Sequence, residues 1–254
     1  MAHPNVGHFV WHELRAGDPK AAIEFYTDVV GWKTQPFGES YTMWVGSQGP
    51  LGGTMALPEG AVEMGTPPQW IGSVQVENVD ASAALAQKLG GTVRHGPEDI
   101  PTVGRFAVIT DPQGAAIDLF QPSGSMGLHD DQKDGEFCWN ELMTSNHGSA
   151  FRFYSELFGW KKLEEMSMGE MGSYLVYGIG EKRLGGMMTL AKEAGMPPVW
   201  IYYVQTRDLE AAIGRATNKG AKVINGPMDV PGGRIAQLID SQGALFALHQ
   251  VAKA

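Results

Sequence analysis

The chain has 254 residues, of which 43% are apolar and 19% charged, with a net charge of −9. This composition excludes a disordered chain and makes nucleic acid and anionic membrane surfaces poor partners. No apolar run approaches the roughly 20 residues of a membrane span, residues 1–8 have neither a basic nor an apolar leader region, and a cytoplasmic location is the expectation. The single cysteine, Cys138, excludes an intramolecular disulfide and reads as a small buried hydrophobe.

In chain order, Phe9–Leu14 (FVWHEL) reads as a strand that is apolar on both faces. Asp18 and Pro19 then supply an N-cap and a favoured first helical residue. Ala22, Phe25, Tyr26 and Val29 follow at helical spacing, and Gly31 ends the helix. Strand patterns come next at Tyr41–Val45 and near Thr54–Leu57, with one more strand expected. The pattern restarts with a strand at Trp70–Val76, a helix at Asp80–Leu89 stopped by Gly90-Gly91, and strands at Thr92–Arg94, Arg105–Thr110 and Ala116–Phe120. Ser123–Gly135 is polar, contains glycine and has no periodicity, so residues 123–134 read as a linker.

Beyond the linker the chain repeats itself. FCWNEL at Phe137–Leu142 answers FVWHEL at an offset of 128 residues. Ala150, Phe153, Tyr154 and Gly159-Trp160-Lys161 answer Ala22, Phe25, Tyr26 and Gly31-Trp32-Lys33. Gly185-Gly186 answers Gly52-Gly53, Gly226-Pro227 answers Gly96-Pro97, and DSQGA at Asp240–Ala244 answers DPQGA at Asp111–Ala115. Asn146 caps the matching helix, and the restart recurs at Trp200–Gln205, Asp208–Lys219 and Gly220. The chain therefore reads as an α+β protein of four βαβββ modules, two in residues 7–122 and two in residues 135–251.

A module with FY and GW around its first helix end, GG after the second helix and a DPxG turn before the last strand resembles the vicinal oxygen chelate superfamily. This group holds glyoxalase I, bleomycin resistance proteins and extradiol dioxygenases. The wording FVWHEL, FYTDVVGW and DPQGA is similar to a two-domain glyoxalase-like or hydroxylase-like subgroup. The resemblance implies two tandem glyoxalase-like domains whose concave sheets enclose clefts. It also implies a divalent ion held by His, Glu or Gln on facing strands. Counted onto this chain, the ligand positions fall on Trp11, Gly53–Met55, Ile71 and Asp118 in the first half, and on Trp139, Gly186–Met188, Ile201 and Ala247 in the second. Tryptophan has no lone pair to offer, and a catalytic divalent site normally uses three protein ligands. The expectation is no metal and no other cofactor. His3, His8 and His12 do not share one strand face with a carboxylate, and His95, His129, His147 and His249 are scattered.

Alternation along the first strand puts Phe9, Trp11 and Glu13 on one face, and in the repeat Phe137, Trp139 and Glu141. These faces read as the walls of a small-molecule site. Glu13 and Glu141 are candidate general acids or bases, because a desolvated carboxyl titrates upward; alternatively they are structural, tied to a backbone amide or to Arg105 and Arg234. Trp11, Trp139, Asp118, Gln75, Gln205, Tyr203, Met55 and His249 are candidate ligand-binding residues. Met187 and Met188 also fall on presumed cleft strands, and Gly52-Gly53 and Gly185-Gly186 read as turns. Replacement of Asp118 by Ala247, His12 by Asn140 and Phe120 by His249 predicts two clefts of unequal polarity. The partner expected is a small organic molecule, bound by a monomer or homodimer, with no nucleic acid and no membrane. The alternative function is a metal-dependent lyase, isomerase or dioxygenase of glyoxalase type; a glyoxalase-like lyase or hydroxylase-like activity is the enzymatic form of the reading.

Overall fold

The computed structural model describes residues 5–61, 65–191 and 195–252; His3 lies outside them. Four βαβββ modules follow one another. The first is β1 (Phe9–Ala16), α1 (Pro19–Val30), β2 (Lys33–Phe37), β3 (Tyr41–Gly46) and β4 (Gly49–Ala56). The second is β5 (Gln69–Gln75), α2 (Val79–Lys88), β6 (Thr92–Ile100), β7 (Gly104–Thr110) and β8 (Ala116–Pro122). The third is β9 (Phe137–Thr144), α3 (His147–Phe158), β10 (Lys161–Ser167), β11 (Ser173–Ile179) and β12 (Lys182–Thr189). The fourth is β13 (Val199–Gln205), α4 (Leu209–Asn218), β14 (Lys222–Val230), β15 (Gly233–Ile239) and β16 (Leu245–Val251). The extra strand expected after the first helix is β2.

The helices start where their caps dictate. Asp18 accepts from the backbone N–H groups of Lys20 and Ala21, and Pro19 follows at the first helical position. Asn78, Asn146 and Asp208 cap the other three in the same way. Gly31 and Gly159 close α1 and α3 in the left-handed region, at φ 83° and 73°.

Two eight-stranded sheets result, ordered β2-β3-β4-β1-β5-β8-β7-β6 and β10-β11-β12-β9-β13-β16-β15-β14. Each sheet is joined at its centre by a glycine bulge. The Gly7 N–H donates to the Gln75 carbonyl at 2.8 Å, while the Gln75 N–H donates to the His8 carbonyl at 2.9 Å. Gly135, Gln205 and Glu136 repeat the arrangement. The bulge residue must be glycine, since Gly7 and Gly135 have φ of +83° and +82°.

Packing groups the modules in a way that chain order does not. One compact unit comprises residues 1–10, 72–128 and 139–200; the other comprises residues 11–71, 129–138 and 201–254. In the second unit the Tyr26 hydroxyl, 0% exposed, donates to Asp240 at 3.0 Å and accepts from the Trp70 indole at 2.9 Å. The Trp32 indole donates to the Gly135 carbonyl at 2.6 Å. The first unit holds the same links: Tyr154 to Asp111 at 3.1 Å, Trp200 to Tyr154 at 3.2 Å, and Trp160 to the Gly7 carbonyl at 2.7 Å. Asp111 and Asp240 also fold their own turns, accepting from the backbone N–H groups of Gln113 and Ala115, and of Gln242 and Ala244. These bonds explain FY, GW and DPxG as scaffold residues. Among the described residues no helix is long and apolar enough to cross a membrane.

Candidate functional site

Alternation on β1 separates a buried row, His12, Leu14 and Ala16, from a half-buried row, Trp11, Glu13 and Arg15. The half-buried row continues across the strands, Glu13 opposite Gly53 and Arg15 opposite Met55. In the third module Glu141 lies opposite Gly186 and Met143 opposite Met188; Met188 in turn faces Tyr174, and Tyr174 faces Met166.

A tyrosine organises each row. The Trp11 indole donates to the Tyr41 hydroxyl at 2.7 Å, and the Trp139 indole donates to the Tyr174 hydroxyl at 2.8 Å. Tyr174 passes the contact on, donating to Glu141 Oε2 at 2.9 Å. Glu13 Oε1 accepts from Arg15 Nε at 3.0 Å. Burial, and then the charge of Glu141, raise the Tyr174 hydroxyl well above the ordinary tyrosine range, so it remains a donor at neutral pH. The product is a Trp–Tyr–Glu chain of hydrogen bonds lying on glycine. A Cβ added to Gly53 would fall 2.3 Å from the Tyr41 ring, and one added to Gly186 would fall 2.1 Å from that of Tyr174. Gly52 and Gly185 would collide with the backbone carbonyls of His12 and Asn140. The GG pairs, read as turns from the sequence, are mid-strand residues of β4 and β12. Their missing side chains admit a ring and a neighbouring backbone.

The second and fourth modules present different rows. Ser73 lies opposite Asp118, which lies opposite Val108; Asp118 is 5% exposed. The equivalent row is Tyr203, Ala247 and Gln237, where Gln237 Nε2 donates to the Tyr203 hydroxyl at 2.7 Å. Gln205 Oε1 meets His249 Nδ1 at 2.7 Å, and burial lowers the pKa of His249. At the equivalent place Phe120 stands opposite Gln75, and the buried Gln75 Oε1 has no hydrogen-bond partner.

Several expectations are corrected. Arg105 does not reach Glu13; it binds Asp80 at 2.7 Å and Asp99 at 2.9 Å. Arg234 binds Glu210 and Asp229 rather than Glu141. In both cases the arginine joins its own module's helix start and neighbouring strand. Phe9 packs on Trp160 and Trp200, with centroids 5.7 Å away in each case, and Phe137 on Trp32 and Trp70, so both rings belong to aromatic clusters separate from the Trp–Tyr contacts. Met187 is 0% exposed and pairs with Leu142, on the opposite face from Met188. Cys138 donates weakly to the Tyr203 carbonyl at 3.4 Å, and burial raises its thiol pKa, which agrees with the reading of an inert residue. Residue-by-residue reading missed Tyr41 and Tyr174, although their offset of 133 equals that of the GG pairs. It also missed the buried Glu136, whose Oε2 meets His129 Nδ1 at 2.8 Å.

The residues at the positions where the resemblance implies metal ligands do not fit a divalent ion. Both indoles are donors engaged with tyrosines, the GG positions lie under tyrosine rings, and Ile71 and Ile201 are core. Asp118 alone has a ligating side chain. Among the described residues no three His, Cys, Asp or Glu side chains gather as a metal site.

The family model for the Glyoxalase/Bleomycin resistance protein/Dioxygenase superfamily matches residues 5–119 and 139–248. The chain belongs to this superfamily, as a tandem pair of glyoxalase-like domains. Among curated proteins it is 34% identical to CFP32 of Mycobacterium tuberculosis (strain CDC 1551 / Oshkosh), which carries a provisional assignment as a glyoxylase, over 94% of this chain and 92% of that one. It is 29% identical to the anthracycline biosynthesis protein DnrV of Streptomyces peucetius, over 95% and 92%. Among solved structures, the 2,3-dioxygenase LapB of Pseudomonas sp. KL28 superposes with a TM-score of 0.68 at 12% identity, over 99% of this chain and 94% of that one. The Mn(II)-bound glyoxalase of Novosphingobium aromaticivorans gives 0.66 at 14% identity, over 97% and 82%. These two likenesses concern the fold.

Proposed function

We propose that the chain binds a small aromatic organic molecule on the face carrying Trp139, Tyr174 and Glu141, without the divalent ion of its metal-dependent relatives. The observation that carries this reading is the Trp139–Tyr174–Glu141 chain of hydrogen bonds, which joins a carboxylate and two aromatic rings from β9 and β11. The methionines Met143, Met166 and Met188 share the row and supply an adaptable, polarisable surface. Glu141 is the acceptor for a ligand hydroxyl, and the residue to which an enzymatic proton transfer would fall. The relationship to DnrV points to planar, hydroxylated polycycles as the compounds to test first.

Titration with a fluorescent anthracycline tests the reading. Saturable quenching is expected, weakened at least about tenfold (roughly 1.4 kcal/mol) in Glu141→Gln and in Trp139→Phe, and unaffected by EDTA. Stoichiometric manganese, zinc, nickel or iron in the purified protein, with binding lost on chelation, would overturn it.

A further inference from the structure

We propose that His147 is the positioning residue of the Trp139–Tyr174–Glu141 face and makes it the preorganised one of the two Trp–Tyr faces; the functional importance of this rests on the reading above. His147 is the first residue of α3, behind the cap Asn146. Its backbone N–H and its ring Nδ1 both meet Thr189 Oγ1, at 3.1 and 2.7 Å. Its Nε2 lies 3.3 Å from Ser173 Oγ, and Ser173 donates its only proton to Glu165 Oε1 at 2.9 Å. Since that proton is committed to a carboxylate, Nε2 must carry a hydrogen and donate to Ser173, while Nδ1 holds Thr189. Lys162 Nζ, 3.0 Å from Glu165, keeps the terminal carboxyl below the ordinary range. From the ring onward the bonds run in one direction: His147 to Ser173, Ser173 to Glu165.

This relay ties four elements at one point: the first turn of α3, β10, the first residue of β11 and the last residue of β12. Ser173 follows Gly172, which caps the 3-10 turn Gly169–Met171, whose Met171 is 63% exposed. Strand ends beside such turns fray unless anchored. The next residue is Tyr174, whose hydroxyl holds both Trp139 and Glu141. Anchoring Ser173 therefore removes freedom from the residue on which the face depends. The first half cannot build the relay. Pro19 stands where His147 stands, without N–H or imidazole, and Ala56 stands where Thr189 stands.

The test needs no ligand. In protein labelled with 5-fluorotryptophan, the resonances of Trp139 and Trp11 are assigned by Trp139→Phe and Trp11→Phe. The Trp139 line should be the narrower of the two. His147→Asn keeps the arm to Thr189 and loses the one to Ser173, and it should broaden or shift the Trp139 resonance, as should Ser173→Ala. His147→Gln, whose amide reaches as Nε2 does, should restore it, and the Trp11 line should stay still in all three. If Trp139 is unmoved in His147→Asn and Ser173→Ala, or if Gln fails to rescue, the positioning role is wrong whatever the protein binds. If the resonances behave as stated but no anthracycline binds, the positioning role stands and the proposed ligand class falls.

Discussion

Gly186→Ala should be among the more damaging single-methyl additions available in this chain. The new Cβ would sit 2.1 Å from the Tyr174 ring, where ordinary contact begins at 3.4 Å, so the ring must retreat by at least about 1.3 Å. Overpacking of this kind costs about 1–3 kcal/mol. The retreat also breaks the 2.8 Å bond from Trp139 and the 2.9 Å bond to Glu141, the second with a charged acceptor, together about 2–4 kcal/mol if nothing replaces them. Tyr174 is only half-buried, so water recovers part of this, and a total of about 2–4 kcal/mol is expected. Urea unfolding followed by tryptophan fluorescence measures it, as a lowered midpoint at unchanged slope. Tyr174→Ala removes the ring, and on that background Gly186→Ala should be nearly silent, a coupling of at least about 1 kcal/mol. Additive effects, or a Gly186→Ala midpoint within error of the parent, would refute the account of the GG pair as a tyrosine platform.

His249→Phe should lower the melting temperature, because Gln205 Oε1 loses its 2.7 Å partner, at a cost of about 1–3 kcal/mol; Phe120→His should raise it by giving the buried Gln75 Oε1 a partner. Stability should decline as pH rises above about 10. Tyr26 and Tyr174 are held above the ordinary range, first by burial and then by Asp240 and Glu141, so the folded chain keeps protons that the unfolded chain releases; Tyr26→Phe should flatten the alkaline slope of a denaturation series. Residues 5–122 produced alone lack Asp240 and the Gly135 carbonyl for Tyr26 and Trp32, and should self-associate through Tyr26 of one copy and Asp111 of another; a stable monomer by sedimentation would contradict this.

The elements were legible because their signals are local. Caps such as Asp18 and Asn146, stops such as Gly31, and two-residue alternation on β1 depend on near neighbours alone, and the internal repeat tested each assignment twice. The placement of Trp11 with Glu13 on β1, and of Trp139 with Glu141 on β9, was legible for the same reason. The remainder depends on distances between segments. Arg105 stands opposite Asp99 on the next strand and within reach of Asp80 at the start of α2, a proximity that spacing does not reveal. Phe9 packs on Trp160 and Trp200, rings from distant segments of the chain. The GG pairs looked like turns because glycine is more often needed for positive φ than for a ring lying across it. His147 was one of four scattered histidines until the fold brought Ser173 and Thr189 to its two ring nitrogens.

The pattern of agreement and divergence between the halves follows from how each contact is closed. Tyr26–Asp240 and Tyr154–Asp111, and Trp32–Gly135 and Trp160–Gly7, each join residues from different halves of the sequence. A substitution at either end strands a buried group far along the chain, at about 1–3 kcal/mol, so both copies of these links persist. The sheet faces are closed locally instead. Where Ala247 stands in place of Asp118, Tyr203 and Gln237 bond to each other across it, and where His249 stands in place of Phe120, it takes Gln205. Each such change is compensated by a neighbour on the same face, so the two faces could diverge while the scaffold could not. His147 and Thr189 follow the same rule: Pro19 and Ala56 stand at their places in the first half, and the two residues close on each other within one face, so the difference leaves the scaffold links untouched.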